Sequence, residues 1–107
     1  MSAKTATVIV SFRAKPDQAA ALVTLLSGLQ PGMLAAGAKT VSLLQDQDDP
    51  TRVFEVEEWA SADEHKRFAA QAAAAGAFAP LDELLVAPFE ATYLATVARS
   101  EAPGGGR

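Results

Sequence analysis

A strand that runs without a spacer into a capped helix, residues 52–68, constrains this chain more than any other stretch. Over 52–59 the side chains alternate, with Phe54 and Val56 on one face and Val53, Glu55, Glu57 and Trp59 on the other. Ser61-Ala62-Asp63-Glu64 then fits a capping box, in which Ser61 accepts from the Glu64 amide and Glu64 reaches back to the Ser61 amide. The chain's one Trp, Trp59, and its one His, His65, both fall at this junction. The two side chains best suited to hold a ligand are therefore delivered to a single corner.

The flanking segments supply the rest of a fold. Residues 5–12 read as a strand with Val8, Val10 and Phe12 on one face. Pro16 pre-sets a helical turn, and Leu22, Val23, Leu25, Leu26 and Leu29 recur at helical spacing over 17–30. Gln30-Pro31-Gly32 is expected to stop that helix, leaving a connector to Gly37. Residues 38–45 read as a second strand, with Val41 and Leu43 opposite Thr40, Ser42 and Leu44. The polar run Asp46 to Thr51 turns it into a hairpin with the corner strand. A second helix from 61 to about 75 stops at Gly76, and a helical turn around Pro80 to Val86 ends at Pro88. The last strand is expected over 89–97, with Phe89, Ala91, Tyr93, Ala95 and Val97 on one face. Residues 1–99 read as one domain, and 100–107, ending Gly-Gly-Gly-Arg, are expected to form a disordered tail.

The order β-α-β-β-α-β predicts an α+β, ferredoxin-like fold, with two helices on one face of a four-stranded antiparallel sheet. The other face would carry Ile9, Leu44 and Leu94 among Thr7, Ser11, Thr40, Ser42, Thr92 and Thr96. That mixture is too apolar for free solvent and too polar for a monomer core. A second copy of the sheet would suit it, so a homodimer is expected.

Composition excludes several functions. A net charge of −4 argues against nucleic acid and against an anionic membrane surface, both of which need clustered Lys and Arg. With no Cys and one His, neither a thiolate nor a His-rich metal site is available, so no metal is expected. No apolar run near 18 residues is expected, and the start of the chain has no signal-peptide core, so the expected location is cytoplasmic. The Asp46 to Asp49 cluster lacks the spacing of a calcium loop.

Several short motifs, in order, resemble the antibiotic biosynthesis monooxygenase family, whose members are dimeric α+β barrels. They are Phe12 with Lys15-Pro16, Pro31-Gly32, Asp46 through Asp49-Pro50, and Glu57-x-Trp59 with Ser61. Leu84-Leu85 before Pro88 and Tyr93-Leu94 complete the set, which spans about residues 7–95. The resemblance implies oxygenation of a phenolic, anthrone-like or quinol substrate without metal or flavin, hence no cofactor. In that chemistry the deprotonated aromatic substrate itself reduces dioxygen. The protein holds the substrate in an apolar cavity, takes a proton and stabilises an oxyanion. His65 and Tyr93 are the candidate catalytic groups, and Trp59, Phe12, Phe54 and Phe68 the candidate substrate-binding walls.

Two departures narrow the resemblance. The chain has no Asn, which some family oxygenases place near the substrate. Haem-degrading relatives keep a ligating His about ten residues after a Trp, where this chain has Ala69. Haem degradation is disfavoured on that ground. A small-molecule binding protein without chemistry, or an isomerase or cyclase on the same scaffold, are the alternative functions.

For each candidate a plainly structural role stands beside the chemical one. His65 shares a helix stripe with Ala62, Phe68, Ala69 and Ala72, which places it toward the sheet. Tyr93 completes the core or contacts a ligand, and Trp59 turns toward the cavity by a bulge or packs at the dimer edge. Glu55 and Glu57 are read as ion pairs at an interface or on its rim, and Arg13 and Arg52, near strand ends, are available to these carboxylates or to a substrate oxyanion.

Overall fold

Four strands and two helices form from these patterns in a computed structural model that describes residues 5–104. In chain order they are β1 (Ala6–Arg13), α1 (Ala19–Ala36), β2 (Thr40–Gln45), β3 (Arg52–Trp59), α2 (Ala62–Ala74) and β4 (Glu90–Leu94). A 3-10 turn at Ala79–Glu83 precedes β4. The strands lie in the order β2-β3-β1-β4, all antiparallel, and the element order is the β-α-β-β-α-β of a ferredoxin-like α+β fold.

The register lines inward side chains into rows. Leu43, Glu55, Val10 and Ala91 make one row across the sheet, and Val41, Glu57, Val8 and Tyr93 make the next. Leu22, Leu26 and Met33 of α1, with Leu81 and Leu85 beyond α2, close the core over them. The hairpin between β2 and β3 is held by Asp46, whose Oδ1 accepts from the Asp48 and Asp49 amides. Arg13 and Arg52 pair there with Asp49 and Asp46, at 3.1 and 3.3 Å, and not with the carboxylates of β3.

Helix α1 does not stop at Pro31. Leu22, Leu26 and Met33 continue one buried stripe past it, so burial of Met33 offsets the one backbone donor that Pro31 lacks. The helix ends instead at Gly37, whose φ of 130° is open to glycine at little cost. There the Ala38 amide bonds Met33 O at 3.0 Å and the Gly37 amide bonds Leu34 O at 3.2 Å.

This extension also overturns the expectation that no apolar run approaches 18 residues. Helix α1 has 18 residues, a mean hydropathy of 1.5 and no charged side chain, enough by length and composition to cross a membrane. Leu22, Leu26 and Met33, its residues buried on the sheet, make up 17% of that length.

The last strand is shorter than 89–97. Its last pair is Leu94 with Thr7, and Val97, beyond the ladder, is 95% exposed. Of the expected tail, residues 105–107 lie outside the described residues.

Candidate active site

Strand β3 keeps strict alternation to its end, so no bulge is needed to turn Trp59 inward. Val53, Glu55, Glu57 and Trp59 all face the helices and are buried, Glu55 to 4% and Glu57 to 1% exposure. The reading of these two carboxylates as interface or rim ion pairs is therefore corrected. They lie beneath the helices, inside the protein.

Buried carboxylates need partners. Glu57 Oε1 accepts from Trp59 Nε1 at 2.8 Å, and His65 Nε2 stands 3.5 Å from the same oxygen. His65 reaches this point because Ser61 caps α2, its Oγ accepting from the Glu64 amide at 3.2 Å. Glu57 and Tyr93 lie two strands apart in one row, roughly 10 Å at the usual strand spacing. His65 spans the gap from above, its Nδ1 2.9 Å from the Tyr93 hydroxyl. Trp59 meets His65 edge-on and Phe68 at a tilt, each with ring centres 5.4 Å apart. Lys66 covers the Tyr93 ring with its ammonium 5.0 Å from the centroid.

Burial and charge fix the protons of this chain of contacts. Burial lowers the pKa of His65, and the nearby Glu57 charge opposes that only in part, so the imidazole is neutral at pH 7. Burial and then the Glu57 charge raise the pKa of Tyr93, which keeps its proton. The arrangement this favours has Nε2–H directed at Glu57 and Nδ1 accepting from the Tyr93 hydroxyl. Glu55 is pushed up to about 8, first by burial, then by a hydrogen bond with Glu57 and by its charge. It is a neutral acid at pH 7, and its Oε2 is buried with no hydrogen-bond partner.

Glu55, Glu57 and His65 open onto a cavity of about 180 Å³ between the sheet and the helices. Every other lining residue is apolar or glycine. Phe12, Phe68, Phe78 and Phe89 give it aromatic walls, while Gly32, Ala69, Ala72 and Ala77 leave the space unfilled. The site can thus hold an apolar ring against two carboxyl groups and an imidazole.

The structure brings some of the sequence candidates together and separates others. His65, Phe12 and Phe68 line the cavity. Tyr93 and Trp59 stand behind its wall, joined to it through His65 and Glu57. Phe54 does not reach it, because the pleat places that ring on the opposite face, where the Arg52 guanidinium lies 5.3 Å from its centroid. Sequence reasoning missed Glu55 and Glu57 as site residues. Their shared face with Trp59 was the available signal, since an inward Trp59 carries both inward with it.

The model of a family described as antibiotic biosynthesis monooxygenase matches residues 5–79. Rv0793 from Mycobacterium tuberculosis is similar in structure with a TM-score of 0.76, at 23% identity over 92% of this chain and 100% of that one. PA3566 from Pseudomonas aeruginosa gives 0.72 at 23% identity, over 92% and 99% of the two chains. NE2512, a protein of unknown function from Nitrosomonas europaea, gives 0.72 at 22% identity, over 97% and 100%. At these identities the structural likeness establishes the fold. No curated protein matches the chain.

Proposed function

The chain belongs to the antibiotic biosynthesis monooxygenase family, and from that premise we propose a cofactor-independent monooxygenase acting on a phenolic or quinol aromatic substrate. The observation that carries this reading is the apolar cavity in which Glu55, Glu57 and His65 are the ionisable lining groups. The reaction balances without a further reductant. The substrate supplies both electron pairs that dioxygen needs, one oxygen atom enters the product as a carbonyl, and the other leaves as water.

Three features support the roles. His65 and Glu57 meet 3.5 Å apart at the cavity wall, so a substrate proton is taken by the Glu57 carboxylate, which the imidazole holds in place. Tyr93 holds the ring of His65 through Nδ1 and supplies a proton donor behind it. The phenylalanine walls exclude water from the electron-rich anion that meets dioxygen. A cavity of about 180 Å³ lies below the range of roughly 300–1,000 Å³ usual for ligand pockets. One- and two-ring phenols and quinols are therefore favoured over three-ring anthrones.

Oxygen uptake with naphthohydroquinols and anthrones, in the presence of EDTA, tests the reading. Uptake should persist with EDTA, be faster with the smaller substrates, and fall about 10²-fold in His65→Ala, the usual scale for a proton-transfer group. Binding with no uptake would instead make the protein a small-molecule binder, and a product equal in mass to the substrate would make it an isomerase.

We also propose a homodimer through the open face of the sheet. Leu44 and Leu94 are exposed there, beside half-buried Ile9, Phe54 and Val56. Light scattering should give twice the chain mass of 11.1 kDa; a monomer at micromolar concentration would remove this proposal and leave the cavity chemistry untouched.

A further inference from the structure

We infer that Glu55 is the group that holds the substrate oxygen, its un-ionised carboxyl donating a hydrogen bond to a carbonyl or oxyanion of the bound ring. Keeping this carboxyl buried is costly. A carboxyl exposed to only 4%, with Oε2 buried and unpartnered, lies in a wall of Val10, Phe12 and Met33 where an apolar side chain would fit without penalty. Its neighbours in the register, Val10 and Leu43, offer it nothing polar. The titratable groups facing it are Glu57 on β3 and, from α2, His65; Tyr93 on β4 acts on it only through His65. Helix α1 presents Leu29, Gly32 and Met33 to the cavity, with no charge.

The two carboxyl groups then divide the work. Glu57 is occupied by Trp59 and His65, so it suits the proton-accepting side. Glu55 keeps its own proton up to pH near 8 and shares it with Glu57; a bound oxygen can take over that hydrogen bond where a carboxylate could only repel. A carboxyl turns about its last bond in a broad, roughly two-fold well, so the O–H can be presented to the cavity whichever oxygen carries it. In the proposed oxygenase cycle the substrate proton goes to the His65–Glu57 pair while the Glu55 O–H stabilises the oxyanion left behind. No bond to Glu55 forms or breaks. The catalytic part rests on the oxygenase reading; the binding part does not.

Calorimetric titration with 1,4-naphthoquinone separates the two. That ligand accepts hydrogen bonds only, and the chain has no cysteine for it to modify. Wild-type affinity should fall about tenfold as pH rises through 8, the scale of one lost hydrogen bond. Glu55→Gln, which keeps a donor that does not titrate, should bind with no such pH dependence. Glu55→Leu should bind about tenfold more weakly than wild type at pH 6–7. The inference is overturned if the pH dependence survives in Glu55→Gln, if Glu55→Leu binds as tightly as wild type, or if the quinone does not bind at all. Should Glu55→Leu fail to fold, the Glu55→Gln profile alone decides. Failure of the oxygenase reading would appear separately, as absent oxygen uptake by a wild-type protein that still binds the quinone.

Discussion

Trp59→Ala is expected to abolish cooperative folding. The side chain is wholly buried, and it packs on Phe68 and His65 with ring centres 5.4 Å away in each case. It also closes the end of α1, since its Cζ3 stands 3.5 Å from where a β-carbon on Gly37 would lie. Emptying that volume costs about 3–5 kcal/mol. Losing the 2.8 Å bond from Nε1 leaves the buried Glu57 carboxylate short of a donor, at a further cost of about 1–3 kcal/mol. The sum is comparable with the whole stability of a small domain, about 5–15 kcal/mol. Thermal melts by circular dichroism should show a transition lowered by 20 °C or more, at about 4–8 °C per kcal/mol, or none. Trp59→Phe keeps most of the packing and loses only the N–H, so it should still melt cooperatively. A Trp59→Ala protein melting within a few degrees of wild type would show that the corner does not hold the fold together.

That corner also marks how far the sequence is legible. Element order, strand pairing and the Ser61 cap follow from local patterns, and all three are present in the structure. The alternation over 52–59 divides β3 into two faces but does not say which face is inside. Ordinary burial preference would choose Phe54 and Val56 over Glu55 and Glu57. Trp59, two residues on, donates to Glu57. The rest of the opposite outcome depends on other elements, since His65 comes from α2 and is fixed by Tyr93, 28 residues further along. No local pattern records those contacts. Pro31 misleads for a related reason. A proline ends a helix by local rules, yet the gain from burying Met33 on the sheet is tertiary and outweighs one missing donor.

Glu55→Gln should make the protein more stable in alkaline solution, and the gain should grow with pH. The carboxyl has its pKa raised in the folded state to about 8 from an ordinary value of 4.5. Below 4.5 both states carry the proton and the group is neutral to stability. Between 4.5 and 8 the unfolded chain releases the proton while the folded chain keeps it, so the unfolded state binds fewer protons and wild-type stability falls as pH rises. Above 8 the full cost is expressed, on the order of 5 kcal/mol. His65 works in the opposite direction. Its lowered folded pKa means that the unfolded chain takes up a proton first, so stability is lost as pH falls through 6.5. Asp49, its pKa lowered by Thr51 and Arg13, loses stability as pH falls through its ordinary value of 3.8. Both effects are common to wild type and variant, so the difference between their urea transitions at pH 5, 7 and 9 isolates Glu55. A difference that stays constant from pH 5 to 9 would mean that Glu55 is ionised inside the folded protein, and a hydrogen-bond donor for the substrate oxygen would have to be sought elsewhere. A growing difference would mean that the fold carries an acid at a standing cost to its stability. Such a cost is common where activity needs a strained or destabilised group, and seldom tolerated where a group has no task.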